Sequence, residues 1–138
     1  MRALVLSLCF LSFSLPLTGC VQSIHYQPNT NLLQRLTRAE ATEQIRNILL
    51  RSINPQIAEV SVTEEFLNYN IHPTTITIRL FFGKIGSVEV FDNHAAFVRA
   101  PGNGPFIAQL FFSTAEDAKM FADLLMSFRE MYLAKKSN

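Results

Sequence analysis

A chain of 138 residues with twelve basic and eleven acidic side chains has room for one core and carries almost no net charge. That balance excludes a broad nucleic-acid footprint and a polybasic patch for acidic lipid. Both cysteines, Cys9 and Cys20, fall within the first twenty residues, so the chain beyond them has neither a disulfide nor a thiol nucleophile of its own.

The chain opens with Met1-Arg2, one positive charge, followed by an almost wholly apolar run over residues 3–17. A run of fifteen residues, broken by Ser7, Ser12, Ser14 and Pro16, falls short of the roughly 20 needed to span a bilayer, and the layout is that of a secretory leader. The run closes on Leu17-Thr18-Gly19-Cys20. This segment resembles the bacterial lipobox: an aliphatic residue, two small residues, then cysteine. The resemblance implies cleavage between Gly19 and Cys20, a thioether from Cys20 to diacylglycerol, and a fatty chain such as palmitate on the new amine. Cysteine fits that role because a thiolate is the strongest nucleophile among the side chains. Each buried CH₂ contributes about 0.8 kcal/mol, so several acyl chains together give a stable anchor. In lipoproteins of Gram-negative bacteria an aspartate directly after the cysteine commonly retains the protein in the inner membrane, and here that position is Val21. The resemblance thus places the protein at the outer membrane, with its folded part in the periplasm.

Removal of residues 1–19 leaves 119, with eleven charges of each sign. A body of that size buries roughly 65% of its unfolded surface, enough for a core without staples. Twelve phenylalanines and no tryptophan mark the composition, and the ten beyond the leader are expected mainly in that core. Residues 20–36 are turn-rich and polar, with Gln22, Ser23, Gln27, Pro28, Asn29, Thr30 and Asn31. They read as a lipidated tether whose flexible reach is roughly 20–24 Å. Residues 37–138 form the one globular domain.

Thr37 and Glu40 make a capping box, and Ala41, Ile45, Ile48 and Leu49 recur at helical spacing, so a helix is predicted over 37–52, stopped by Pro55. Strand patterns follow. Val60, Val62 and Phe66 alternate with Ser61, Thr63 and Glu65; residues 68–73 read as a connection; residues 74–82 are the clearest strand, with Ile76, Ile78, Leu80 and Phe82 on one face. Residues 87–91 and 94–100 are predicted as a hairpin across Asp92-Asn93, and 106–112 as the last strand after a Pro101-Gly102-Asn103-Gly104-Pro105 loop. A second capping box, Ser113 with Glu116 or Thr114 with Asp117, starts a long helix over 114–134 with a stripe of Ala118, Phe121, Leu125, Phe128 and Tyr132. The expected fold is α+β: an N-terminal helix, a five-stranded antiparallel meander and a long C-terminal helix packed on the sheet.

In the last strand Phe106, Ala108, Leu110 and Phe112 face one way, and Ile107, Gln109 and Phe111 the other. A sheet with one solvated face has no need of Phe81, Ile107 and Phe111 on its back. These three are the candidate partner surface, covered by the first helix or by another protein. The run from Gly83 to Leu125 also resembles small bacterial pleckstrin-homology-like domains. It does so through Lys84-Ile85-Gly86-Ser87-Val88, the hairpin to Val98, and Phe111-Phe112-Ser113-Thr114-Ala115-Glu116-Asp117-Ala118 leading into Phe121, Leu124 and Leu125. That family bends its antiparallel sheet around a C-terminal helix; the preceding helix and the count of five strands depart from it. The resemblance implies no ligand.

No catalytic constellation is legible. His25, His72 and His94 lack ligand spacing, and Asp92 beside His94 reads as turn chemistry. Glu64 and Glu65 are adjacent, so on a strand they point to opposite faces; Glu64 shares its face with Val60 and Val62, as an edge-guarding charge would. Nucleophile elbows and phosphate-binding glycine loops are absent from the sequence. Lys135 and Lys136 read as a solvated helix end. The expected function is therefore non-enzymatic, without cofactor or metal: a membrane-anchored envelope lipoprotein whose domain binds an envelope protein. The alternative is a carrier of a small apolar ligand, lipid or peptide, lined by Phe82, Phe106, Phe112, Phe121 and Phe128.

Overall fold

The computed structural model describes residues 23–24, 26–92 and 94–138. The leader, the cleavage site at Gly19 and Cys20, the lipidation site and His25 lie outside the described residues. The class is α+β, in the order β1 (Ser23–Ile24), α1 (Arg38–Leu50), β2 (Ile57–Val62), β3 (Phe66–Ile71), β4 (Thr77–Phe81), β5 (Ser87–Phe91), β6 (Ala95–Arg99), β7 (Phe106–Phe111) and α2 (Ala115–Lys136).

The strands do not form one meander. They form a three-stranded antiparallel sheet, β2-β3-β4, and a four-stranded one, β1-β5-β6-β7. The predicted strand from Val60 to Phe66 is two strands. Thr63 turns the chain between them: its Oγ1 accepts from the amides of Glu65 and Phe66 at 3.2 and 3.1 Å, and its own amide donates to the Phe66 carbonyl. Such a hydroxyl turn leaves Val62 paired with Leu67. The predicted connection over 68–73 is mostly β3, because Leu67, Tyr69 and Ile71 alternate inward while Asn68 and Asn70 face out.

Both helices start where their caps place them. Thr37 Oγ1 accepts from the Glu40 amide at 3.2 Å, and Glu40 accepts the Thr37 amide at 2.7 Å, which holds its carboxyl below the ordinary carboxylate range. For α2 the cap is Thr114 rather than Ser113, the first register expected, and it accepts from the Asp117 amide at 3.1 Å. α1 packs on β2 and α2, and α2 lies across β5 and β6. Ile45, Leu49, Leu67, Leu80, Val88, Val98, Leu110, Phe121 and Leu125 join one core shared by both sheets.

The sheets meet at a tight corner. A short 3-10 turn, Phe82–Lys84, buries Phe82 and is followed by Ile85, also buried. Gly86 then donates to the Arg99 carbonyl at 2.8 Å, and a Cβ there would stand 2.6 Å from the Ala100 carbonyl oxygen. Only a glycine lets the two backbones approach this closely.

The segment before α1 is not a free tether over its whole length. The backbone of β1 pairs with β5, Ser23 opposite Phe91 and Ile24 opposite Val90. Tyr26, Leu32, Leu33 and Leu36 pack against the core. Its polar composition conceals these apolar side chains, which find a groove only once α2 is in place.

Candidate interaction surface

The three residues of the candidate partner surface do not share one face. Phe81 ends β4 in the three-stranded sheet, whereas Ile107 and Phe111 lie on β7 in the other. α1, packed on β2 and α2, leaves Phe81 43% and Ile107 38% exposed. Phe111 is half-buried and sits beside the chain just after α1, where its carbonyl accepts the Ile53 amide and the Ser52 hydroxyl at 2.9 and 3.2 Å.

Around Phe81 the outer face of the three-stranded sheet carries a ridge and a polar ladder. Phe66 meets Phe81 edge to face at 5.5 Å, with the Arg79 guanidinium 4.5 Å from the Phe66 ring centre. Arg79 Nε donates to Asn68 Oδ1 at 2.9 Å; Thr77 donates to Asn70, which donates to Glu59. This ladder borders a cleft of about 400 Å³ with Arg46 of α1 on its rim.

The outer face of the four-stranded sheet is aromatic. Phe97 lies 4.7 Å from Phe91, 5.1 Å from Phe106 and 6.1 Å from Phe111, ring centre to ring centre. Phe106 belongs here rather than with Ala108 and Leu110, because the β6–β7 register shifts between Val98 and Arg99. One extra residue in a strand reverses the side on which the following side chains fall. Arg99 covers Phe106 at 4.0 Å and pairs with Glu89 at 2.7 Å. The other four phenylalanines proposed to line a ligand cavity are fully buried and pack in pairs: Phe82 stacks on Phe128 at 5.7 Å, and Phe112 meets Phe121 at 5.6 Å with the rings tilted by 39°.

A pair that sequence reasoning missed holds the N-terminal segment. Asp123 of α2, 8% exposed, accepts the Tyr26 hydroxyl and the Asn29 amide, both at 2.7 Å, and the buried Ser127 hydroxyl donates to the Asn29 carbonyl. The available signal was a lone carboxylate inside the apolar run Phe121-Ala122-Asp123-Leu124-Leu125. Such a group is buried only with donors supplied from elsewhere.

The remaining candidates are dispersed. Glu64 is not on a strand but in the β2–β3 turn, where an ion pair with Lys135 holds its carboxyl below the usual range. Lys135 is thus paired, and Lys136 lies 5.6 Å from the Tyr132 ring centre. His72 follows β3 directly; His94, with φ +61°, turns β5 into β6. The 101–105 loop closes through Ala100 N to Pro105 O at 3.0 Å, with Gly102 and Asn103 at positive φ. Among the described residues no three His, Cys, Asp or Glu side chains converge as a metal site, and no described helix is long and apolar enough to cross a membrane. No family model, no curated protein and no solved structure matches the chain.

Two tyrosines respond to alkali. Burial pushes the Tyr69 phenol up to about 12, and burial together with the Asp123 carboxylate raises that of Tyr26 further. Both hold their proton more tightly folded than unfolded. Their contribution is complete below about pH 10, the ordinary tyrosine value, and is lost as pH rises through the raised values. Chemical denaturation at stepped pH is expected to show stability falling from about pH 10 upward, with Tyr69 accounting for on the order of 2 kcal/mol. In Tyr69→Phe the fall is expected to be shallower; an equal fall would mean that Tyr69 ionises freely.

Proposed function

We propose that this protein is a lipid-anchored bacterial envelope lipoprotein whose folded domain binds an envelope protein without catalysis. The observation that carries the reading is Leu17-Thr18-Gly19-Cys20 at the end of an apolar leader with one basic residue. The lipid on Cys20 holds the chain to the membrane, and Val21 directs it to the outer membrane. The domain then faces the periplasm. Two antiparallel sheets, with a C-terminal helix laid across the four-stranded one, support the pleckstrin-homology-like resemblance in outline; α1 is an addition to that plan.

The surface that best suits a protein partner is the Phe66, Phe81 and Arg79 ridge with its polar ladder. The exposed Phe81 and half-buried Phe66, bearing a guanidinium, match the aromatic and arginine enrichment of protein interfaces.

Intact mass and detergent partition of the protein purified from its own membranes test the anchor. A chain beginning at Cys20 and carrying diacylglycerol plus an acyl chain is expected in the detergent phase. A chain that begins at Met1 with an unmodified thiol, or that enters the aqueous phase, overturns the reading. For the domain, a photo-crosslinking residue at position 81 in intact cells is expected to give a discrete adduct, and one at Glu43, exposed on α1, none. Equal labelling from both positions counts against the ridge.

A further inference from the structure

Two features meet at one end of the four-stranded sheet. The first is where the chain enters the fold. Ser23 is paired with Phe91 at the last position of β5, and only Val21 and Gln22 separate it from Cys20. Three Cα-to-Cα steps span at most about 11 Å. The second is the character of the surface there. Phe91, Phe97 and Phe111 are half-buried, Phe106 is 37% exposed and Ile53 57% exposed. Ile53 is joined to Phe111 through its backbone amide, and Ala95, opposite both Phe91 and Phe111, is completely buried.

We propose that this aromatic end of β5-β6-β7 docks on the bilayer that holds the Cys20 lipid, placing Ile53, Phe91, Phe97 and Phe111 in its interfacial layer. The inference rests on lipidation of Cys20. Acyl chains on that residue fix its backbone at headgroup depth, and a link of about 11 Å keeps Ser23 beside it. Apolar side chains of a surface-bound element sink about 5–10 Å into the same layer, so the face lies within reach of the lipid. The nearest charges on the sheet, Glu89 and Arg99, are paired with each other, so neither enters the interface uncompensated. With Asp92 following Phe91, the contact draws on apolar burial rather than on anionic lipid, and it is insensitive to salt. The Phe81 ridge lies on the other sheet and stays available for a protein.

The chain contains no tryptophan, so one introduced tryptophan is a sole reporter. Phe97→Trp and, as the control on the other sheet, Phe81→Trp are made in the full chain, purified as the lipidated protein and reconstituted in phosphatidylcholine vesicles containing bromine-labelled lipid. Mass spectrometry confirms the lipid on each sample. Quenching of Phe97→Trp is expected to exceed that of Phe81→Trp by about twofold or more and to be unchanged by added salt. Phe106→Trp reports from the same face if position 97 refuses the larger ring. A lipidated chain quenched equally at both positions overturns the docking alone. Quenching that is absent in pure lipid, with the face shielded only in native envelope, assigns it to a protein and overturns the docking too. An unmodified Cys20 overturns both the anchor and the inference.

Discussion

Phe128→Ala is expected to lower the unfolding free energy by about 3–5 kcal/mol, the range for emptying a packed aromatic site. Phe128 has no exposed surface; it stacks on Phe82 at 5.7 Å with their planes 9° apart, and the Arg38 guanidinium lies 5.6 Å from its ring centre. Whole domains are stable by only about 5–15 kcal/mol, so this one change removes a large fraction. Phe106→Ala, on the outer face, is expected to cost under about 1 kcal/mol. The contrast decides between a packed core and a ligand carrier. A ring lining an open lumen has few partners to lose, so its removal costs little. Urea unfolding of the two variants measures the difference. A loss below about 1 kcal/mol for Phe128→Ala would favour the carrier reading.

Asp123→Ala is expected to release the N-terminal segment while leaving the core folded. It strands the Tyr26 hydroxyl and the Asn29 amide, each of which now donates to a carboxylate at 2.7 Å. Bonds to a charged acceptor contribute about 1.5–3 kcal/mol each, so a total loss of about 3–6 kcal/mol follows for the two bonds of this segment. Asp123→Asn keeps an accepting oxygen and is expected to fall between the wild type and the alanine variant. Tryptic cleavage at the exposed Arg35 measures the release directly: it is expected to accelerate in the alanine variant, with α2 amides as protected from hydrogen exchange as before. Unchanged cleavage would show that Leu32, Leu33 and Leu36 hold the segment by themselves. Release also lengthens the link between Cys20 and the domain from two residues to sixteen, with a reach of roughly 20–24 Å. The quenching of a tryptophan at position 97 is then expected to fall in the same variant.

Helix starts were legible because their causes are local. Thr37 with Glu40 and Thr114 with Asp117 are bonds between residues three apart, and the stripes of α1 and α2 follow from the helical repeat. The α+β class followed from the order of those patterns. Strand count did not. Asparagines at 68 and 70 disguised β3 as a loop, although Leu67, Tyr69 and Ile71 carried its alternation.

Composition alone balanced the charge, and residue order alone placed both cysteines near the N-terminus and Leu17-Thr18-Gly19-Cys20 at the close of an apolar run. Alternation alone showed that some strands are apolar on both sides. Only the tertiary structure divided the strands between two sheets, moved Phe106 to the outer face at a bulge, and brought Tyr26 to Asp123 across ninety-seven positions of sequence. The reason is one of range. A repeat of 2 or 3.6 residues is fixed by the backbone itself, whereas register, pairing partner and the choice of which apolar face is covered are settled by side chains that become neighbours only after the chain has folded.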